Sequence, residues 1–220
     1  MFDHARRMRI PLACGSTVPV AWQRPPLEAP QGVRFSEMLT TSYSDLEEHA
    51  YHAIELLQAV AERRPGAETG VAQVRHAAGE EVWRLAERGE WSRALLDAAL
   101  ARRVNPVPRE GRQPPEAFLV RYRGGLKGAV LHVNSMTRDY CFAGRMEGRA
   151  EPVASCFYIQ LQLHNHWSFM VRNFEDLVLT RREPSPPERT LMANGIMLAG
   201  LESRRQGGTW IDTPELSWAY

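Results

Sequence analysis

Apolar residues recur at helical spacing along several stretches of the chain. In residues 44–64 they form one stripe, which predicts a helix with a single buried face. The stripe consists of Leu46, Ala50, Ala53, Leu57 and Val60. Further helices are predicted over 80–88, 92–102, 165–181 and 188–205, with the tail of a helix over 2–9.

Shorter runs rich in β-forming residues predict strands between these helices. They cover residues 10–14, 18–22, 33–43, 69–77, 117–123, 126–134, 140–146, 154–163 and 207–211. Gly124-Gly125 joins two of the runs and is typical of a hairpin turn, whereas residues 105–115 indicate a loop. The sum predicts an α+β fold with an open, mostly antiparallel sheet and helices packed on one face. The exposed face of an open sheet is usually covered by a partner. We therefore expect this chain to form a homodimer through that face.

The start of the chain predicts a domain boundary. A helix tail followed by a strand, with no strand before them, is typical of the last βα piece of a larger α/β domain. We therefore predict that residues 1–26 are a remnant of such a domain, and that 27–220 form the α+β domain.

Composition narrows the function classes. With 44% hydrophobic and 24% charged residues, the 220-residue chain has the composition of a globular protein. The formal net charge of +1 gives no electrostatic case for nucleic acid or for an anionic membrane. The sequence has three cysteines, an odd number, and no C-x-x-C motif; they are Cys14, Cys141 and Cys156. This pattern predicts reduced, mostly buried thiols in a cytoplasmic protein, and no metal site.

One face of the helix over 44–64 carries candidate chemistry. Glu48, His52 and Glu55 follow each other at spacings of four and three, which places them on one stripe. A carboxylate one turn before an imidazole can orient the ring and raise its basicity, as a general base requires. The alternative is a solvated polar face with an ordinary i,i+4 charge pair.

Other motifs predict helix starts. Ser44 with Glu47 and Ser185 with Glu188 have capping-box spacing, and Asn165 is placed to cap the helix that follows it. The flanking residues His164, His166 and Trp167 could line a pocket at a strand end or lie at the surface.

The layout of the last third resembles a known family. A helix, a Pro-rich break over 183–187, a long helix and a closing strand follow in order. Ser203 and Gly207 hold the places of an "S-x-x-x-G" motif, and Arg182 stands where a turn glycine is usual. This order resembles the C-terminal half of the glucose–fructose oxidoreductase and inositol dehydrogenase family of NAD(P)-dependent enzymes.

The resemblance implies roles for particular residues. The family's "L-x-D-x-G-x-H-x-x-D" motif is matched at four positions, by Leu46, Glu48, His52 and Glu55. Within this motif, Glu48 replaces an Asp and Ala50 replaces a Gly. It implies that His52 is the catalytic acid/base with Glu48 beside it. Glu55, His49 and His164 are then predicted substrate contacts, while Gln23 and Arg24 are placed near the nicotinamide.

The family's coenzyme-binding signals are absent from the sequence. The sequence contains no G-x-G-x-x-G and no "E-K-P" segment, and Lys127 is its only lysine. The resemblance thus implies that NAD or NADP belongs to an intact parent protein whose nucleotide-binding half would precede Met1. We expect no tight coenzyme binding by this chain alone.

Three functions remain open at this point. The first is the substrate and dimerisation domain of an NAD(P)-dependent oxidoreductase acting on a sugar or polyol, inactive alone. The second is a non-catalytic interaction or dimerisation module of the same fold. The third is a small hydrolase in which His52 serves a nucleophile such as Ser42, Ser44 or Cys14, although no nucleophile-elbow motif supports it.

Overall fold

The computed structural model describes residues 2–107, 113–160 and 163–220. Its α-helices are α1 (Phe2–Met8), α2 (Leu46–Ala61), α3 (Glu80–Glu87), α4 (Arg93–Leu100), α5 (Trp167–Thr180) and α6 (Glu188–Arg205). Its strands are β1 (Trp22–Arg24), β2 (Phe35–Ser42), β3 (Val71–Ala78), β4 (Glu116–Tyr122), β5 (Lys127–His132), β6 (Tyr140–Met146), β7 (Val153–Tyr158) and β8 (Ile211–Asp212).

The strands form one eight-stranded open sheet in the order β1-β7-β6-β2-β5-β4-β3-β8. β2 and β5 run parallel, and the other neighbouring pairs described here are antiparallel. The predicted α+β class with a mostly antiparallel open sheet is therefore confirmed. The hairpin predicted at Gly124-Gly125 joins β4 to β5.

The two long helices, α2 and α6, pack on one face of the sheet, as predicted. Side chains of a strand alternate between faces, and one set, including Met38, Phe118 and Phe142, is buried against these helices. The predicted apolar stripe of α2 is at most 8% exposed. In addition, the Thr40 hydroxyl donates a hydrogen bond to the Ala53 carbonyl at 3.0 Å, which ties β2 to α2.

Helices α3 and α4 cover the opposite face of the sheet, which the sequence predicts to be open. The alternate set of strand side chains, such as Leu39, Leu131 and Cys141, is buried against Leu95 and Leu96 of α4. Helices thus lie on both faces, because α3 and α4 each carry an apolar side of their own. The sheet surface expected to form the homodimer is, over much of its area, already buried within one chain.

The N-terminal segment departs from the predicted strands. Residues 10–14 form no strand, and Val18–Val20 is a short 3-10 turn that leads into β1. Pro11 and Pro19 lack the backbone N–H that a strand ladder needs, which explains both departures. β1 pairs with β7 at the edge of the main sheet, and the domain boundary near residue 26 remains a prediction.

The predicted helix caps are wrong at three positions. The residues preceding α2, α5 and α6 are Asp45, His166 and Pro187, and none of them makes a side-chain capping hydrogen bond. At α2 the reason is visible, because Ser44 has a positive φ of 69° and its carbonyl accepts a hydrogen bond from His132 Nε2 at 2.6 Å. Tertiary contacts therefore place the helix start one residue later.

The "S-x-x-x-G" motif has a clear structural role. Ser203 is fully buried in α6, and its hydroxyl oxygen accepts a hydrogen bond from the His76 backbone N–H of β3 at 2.9 Å. Gly207 follows the helix with a φ of 73°, a conformation that favours glycine. At the end of α5 the left-handed residue is Arg181, with a φ of 58°, and not Arg182.

Some predictions extend beyond the described residues. Positions 161–162 of the strand predicted over 154–163, and 108–112 of the predicted loop, lie outside them, and β7 ends at Tyr158. Within the described part, Cys141 and Cys156 are buried and Cys14 is exposed, and all three are free thiols. No helix in those ranges has the length and apolarity needed to cross a membrane.

Candidate functional site

A cavity of about 150 Å³ opens beside the first turns of α2. Its walls come from four parts of the chain: the N-terminal segment, the α2 surface, adjacent sheet strands, and the start of α5. The polar or aromatic side chains lining it are Ser16, Thr17, Tyr43, His49, His52, Tyr140, His166 and Trp167. Three imidazoles thus meet around one cavity.

His52 is held in place by a hydroxyl from the N-terminal segment. Its Nδ1 lies 2.8 Å from Ser16 Oγ, and that oxygen also accepts the Val18 backbone N–H at 3.0 Å. The Ser16 hydroxyl can still donate to or accept from Nδ1, so the contact fixes the ring in either neutral tautomer. His52 Nε2 then remains available to a bound molecule.

Burial lowers the pKa of His52, and the neighbouring His49 lowers it further. The charge of Glu48 acts in the opposite direction but is the smaller influence. His52 is therefore mainly neutral at pH 7, which is the form a proton acceptor requires.

His166 and His49 present unused polar atoms. Among the described residues, neither His166 Nδ1 nor His49 Nδ1 has a hydrogen-bond partner, although both atoms are buried. His166 is only 5% exposed, and burial also lowers its pKa. Buried polar atoms are usually satisfied, so these two nitrogens are unusual, and both rings belong to the cavity lining.

Two tyrosines complete the inner wall. Tyr43 follows β2 and Tyr140 begins β6, and their rings lie 5.2 Å apart between centroids. Burial raises the pKa of Tyr43 to about 12 and also raises the pKa of Tyr140. Both phenols therefore stay protonated and can donate hydrogen bonds at neutral pH.

The structure separates the predicted partners of His52. The Glu48 side chain is 73% exposed and lies 4.0 Å from His49 Nδ1, so the hydrogen-bond partner of the His52 ring is Ser16. Glu55 points away from the cavity into the contact between α2 and α6. There it is 1% exposed and accepts hydrogen bonds from Thr190 Oγ1 at 2.8 Å and from the Tyr51 hydroxyl at 3.0 Å.

Glu48 instead lines a larger neighbouring cleft of about 720 Å³. This cleft also contains Asp45, Glu116 and Arg204, with His132 at its inner end. The His132 ring is already held by Ser44 and Ser42, and Glu116 is held by His76 at 2.6 Å. Its inner groups therefore have structural partners, whereas His49 Nδ1 and His166 Nδ1 beside the smaller cavity have none among the described residues.

The predicted coenzyme residues have local structural roles. Gln23 Oε1 accepts the Leu27 backbone N–H at 2.9 Å, and the Arg24 guanidinium stacks 4.4 Å above the Tyr158 ring. The sequence also lacks the Gly-rich turn that binds a pyrophosphate. The residues described here do not form a dinucleotide cradle.

His164, a predicted substrate contact, is exposed and lies outside the cavity lining. Its neighbour His166 occupies the site instead, because the left-handed backbone at His164, with a φ of 50°, turns the chain into α5. His49 does line the cavity. Within the described ranges, no group of three or more histidine, cysteine or acidic side chains is arranged to hold a metal ion.

Sequence reasoning did not find Ser16, Tyr43 or Tyr140 as site residues. They lie far from His52 in sequence, and nothing in a single sequence indicates that they meet. The run from His164 to Trp167 did indicate part of the site, because it places two imidazoles at a predicted strand-to-helix junction.

Comparisons with known proteins give the class of fold. No family model matches the sequence, and no curated protein matches it. Solved structures do match. A probable dehydrogenase from Thermotoga maritima has a TM-score of 0.53 at 11% identity, covering 86% of this chain and 58% of that chain. A levoglucosan dehydrogenase in complex with NADH and L-sorbose has a TM-score of 0.53 at 12% identity, covering 92% and 65%.

A myo-inositol dehydrogenase from Corynebacterium glutamicum ATCC 13032 also matches, with a TM-score of 0.52 at 9% identity, covering 81% of this chain and 56% of that chain. The chain shares its fold with these solved dehydrogenases and spans about six tenths of their length. The predicted resemblance to inositol dehydrogenases and related enzymes is confirmed at the level of fold, as a match to part of their length.

The lowered pKa of His52 predicts a pH-dependent stability. The unfolded imidazole titrates near 6.5 and the folded one below that value, so the unfolded state binds more protons as the pH falls. We expect wild type to lose stability relative to His52→Gln below about pH 6.5, by less than about 1.4 kcal/mol per pH unit. Urea unfolding of both proteins from about pH 8 to about pH 5.5 measures this difference.

The exposed His164 provides the control for this measurement. His164→Gln, a substitution of an exposed histidine outside the cavity, is measured in parallel over the same pH range. A constant difference for His52→Gln would contradict the lowered pKa.

Proposed function

We propose that this chain is the substrate-binding domain of an NAD(P)-dependent oxidoreductase that acts on a sugar or polyol. The observation that supports this most is the neutral His52, held by Ser16 at the wall of a cavity with further polar and aromatic groups. The dehydrogenase fold supports the same reading.

The cavity walls suit a small hydroxylated ring. An apolar cavity of about 150 Å³ is known to admit benzene, so a site of this volume accepts a six-membered ring. The aromatic faces of Tyr140 and Trp167 can contact ring carbons, while His49, His166 and Tyr43 can exchange hydrogen bonds with hydroxyl groups.

His52 would take the hydroxyl proton of the carbon to be oxidised. The substrate hydroxyl donates to the free ring nitrogen, and that nitrogen accepts the proton as the carbonyl forms. Ser16 holds the other nitrogen and steadies the imidazolium that results. NAD(P), when bound, supplies the hydride acceptor. Since the described residues do not form its cradle, we propose that another segment or chain provides that site.

Ligand titration tests this proposal. myo-Inositol and L-sorbose are titrated into the purified chain while the imidazole resonances are followed by NMR. One hydrogen bond contributes about 1 kcal/mol, so His52→Gln and His166→Gln should each weaken binding by roughly 5- to 10-fold. His164→Gln should leave the affinity unchanged, because this residue lies outside the cavity.

Two results would count against the proposal. Equal binding by wild type and His52→Gln would remove His52 from the site. Binding of NADH by the chain alone with micromolar affinity would contradict the assignment of the coenzyme site to another segment.

The alternative is a non-catalytic interaction or dimerisation module of the same fold. It is favoured by the exposed apolar side of α5 described below. If neither polyol nor sugar perturbs the three cavity histidines at any attainable concentration, this alternative accounts better for the chain.

A further inference from the structure

Helix α5 carries apolar side chains that nothing in the described structure covers. None of its fourteen residues is buried. Its inner side rests on the domain through half-buried residues such as Phe169, whose ring contacts Trp22 edge-on at 5.1 Å. Its outer side holds the large exposed residues that we call the α5 stripe, namely Trp167, Val171, Phe174 and Val178.

The spacing of the α5 stripe indicates the shape of its partner. The four positions follow each other at intervals of four, three and four, and they fall within about 60° of the helix circumference. Spacings of four, three and four are those of the seam by which one helix packs against another helix with the same spacing.

The exposed area fits a small symmetric interface. The four side chains are 53%, 53%, 58% and 61% exposed. With about 100 Å² available on each, two facing stripes would bury about 800 Å² in total. Stable interfaces bury about 1,200–2,000 Å², so this contact should be weak and concentration-dependent. Leu179, which is 81% exposed, could add to its edge.

We propose that the α5 stripe is a homodimer interface, in which α5 of one chain packs against α5 of a second copy. A two-fold axis makes any patch meet itself, and a stripe with coiled-coil spacing is complementary to itself. This surface differs from the sheet face, which α3 and α4 cover. The proposal rests on α5 alone and does not depend on the chemistry of the cavity.

Dimerisation would also restrict a side chain in the cavity wall. Trp167 belongs to both the α5 stripe and the cavity lining. Packing of the partner helix on its outer surface would restrict the rotamers of this indole. The wall that faces the cavity would then be fixed by the second copy.

Sedimentation velocity on the full chain tests the interface. From about 1 to about 100 µM, wild type should shift from monomer towards dimer, as expected for a small interface. Phe174→Asp should remain monomeric throughout, because pairing would bury the new carboxylate in the seam. The matched control is Leu198→Asp on α6, a position that is 67% exposed and outside the stripe, and it should dimerise as wild type does.

Val171→Asp provides a second variant, and circular dichroism verifies that each variant keeps its helices. A wild type that stays monomeric at every concentration would overturn the proposal. So would a Phe174→Asp or Val171→Asp protein that dimerises as strongly as wild type, since the contact would then lie elsewhere.

Discussion

Replacing Arg189 by Leu is expected to lower the free energy of unfolding by about 3 to 5 kcal/mol. Arg189 lies in the first turn of α6 and donates two hydrogen bonds to Glu62, at 2.8 Å from Nε and 2.6 Å from Nη2. Glu62 directly follows the last residue of α2, and the side chains of Arg189 and Glu62 are only 15% and 11% exposed. The substitution would leave a buried carboxylate without its counter-ion.

The cost is large because the Glu62 carboxylate is also tied to other groups. The Tyr220 hydroxyl donates to Glu62 at 2.8 Å and receives a hydrogen bond from Gln58 Nε2 at 3.1 Å. Losing Arg189 therefore disturbs the contact between the long helices and the position of the last residue. Chemical denaturation followed by circular dichroism measures the change.

Arg205→Leu is the matched control on the same helix. Arg205 also makes a bidentate pair, with Glu202, but its side chain is 72% exposed, so its loss should cost far less than the loss of Arg189. The double variant Arg189→Leu/Glu62→Leu should recover much of the lost stability, because no uncompensated charge remains. Equal effects of Arg189→Leu and Arg205→Leu would show that burial does not decide the strength of these pairs.

The second large effect is expected from Gly200→Ala. A Cβ at position 200 would lie 2.6 Å from Cδ1 and Cε1 of Phe118, whose ring is fully buried in β4. Alanine would gain about 1 kcal/mol of helix propensity, but the clash forces α6 away from the sheet. We expect a net loss of about 1 to 3 kcal/mol in the free energy of unfolding.

A double-mutant cycle with Phe118→Leu tests the cause. If the ring is the obstacle, Gly200→Ala should cost less in the Phe118→Leu background, with a coupling of at least about 0.5 kcal/mol. Gly195→Ala is the comparison, because its Cβ would meet the buried Leu216 and not Phe118, so its cost should not depend on Phe118→Leu. Strict additivity of the two substitutions would place the cost of Gly200→Ala elsewhere.

Local patterns predicted most of the regular elements of this fold. The apolar stripe of α2 and the hairpin turn at Gly124-Gly125 are dictated by residues close in sequence, and the structure contains both as expected. The predicted helix cap at Ser44 is wrong because residues distant in sequence form hydrogen bonds with the backbone there. The hydrogen bonds from His132 and Asn134 to the Ser44 carbonyl, which displace the start of α2, are examples.

The candidate site was predicted only in part, for the same reason. His49 and His52 are near neighbours on one helix, so their common direction follows from helical spacing. Ser16 and His166 reach the cavity from positions 36 and 114 residues away from His52 in sequence. Glu55 shares the helix with His52 but faces Thr190, because α6 packs on that side.

The sequence by itself determined the periodicity of each element, the absence of a dinucleotide-binding motif, and the helix that carries His52. Only the tertiary structure decided which groups surround this imidazole and which apolar surfaces remain exposed. The apolar periodicity of an element predicts which of its faces is buried, but it does not predict which other element packs against that face. The sheet face expected to be open is covered by α3 and α4, whereas the outer side of α5 has no neighbour among the described residues.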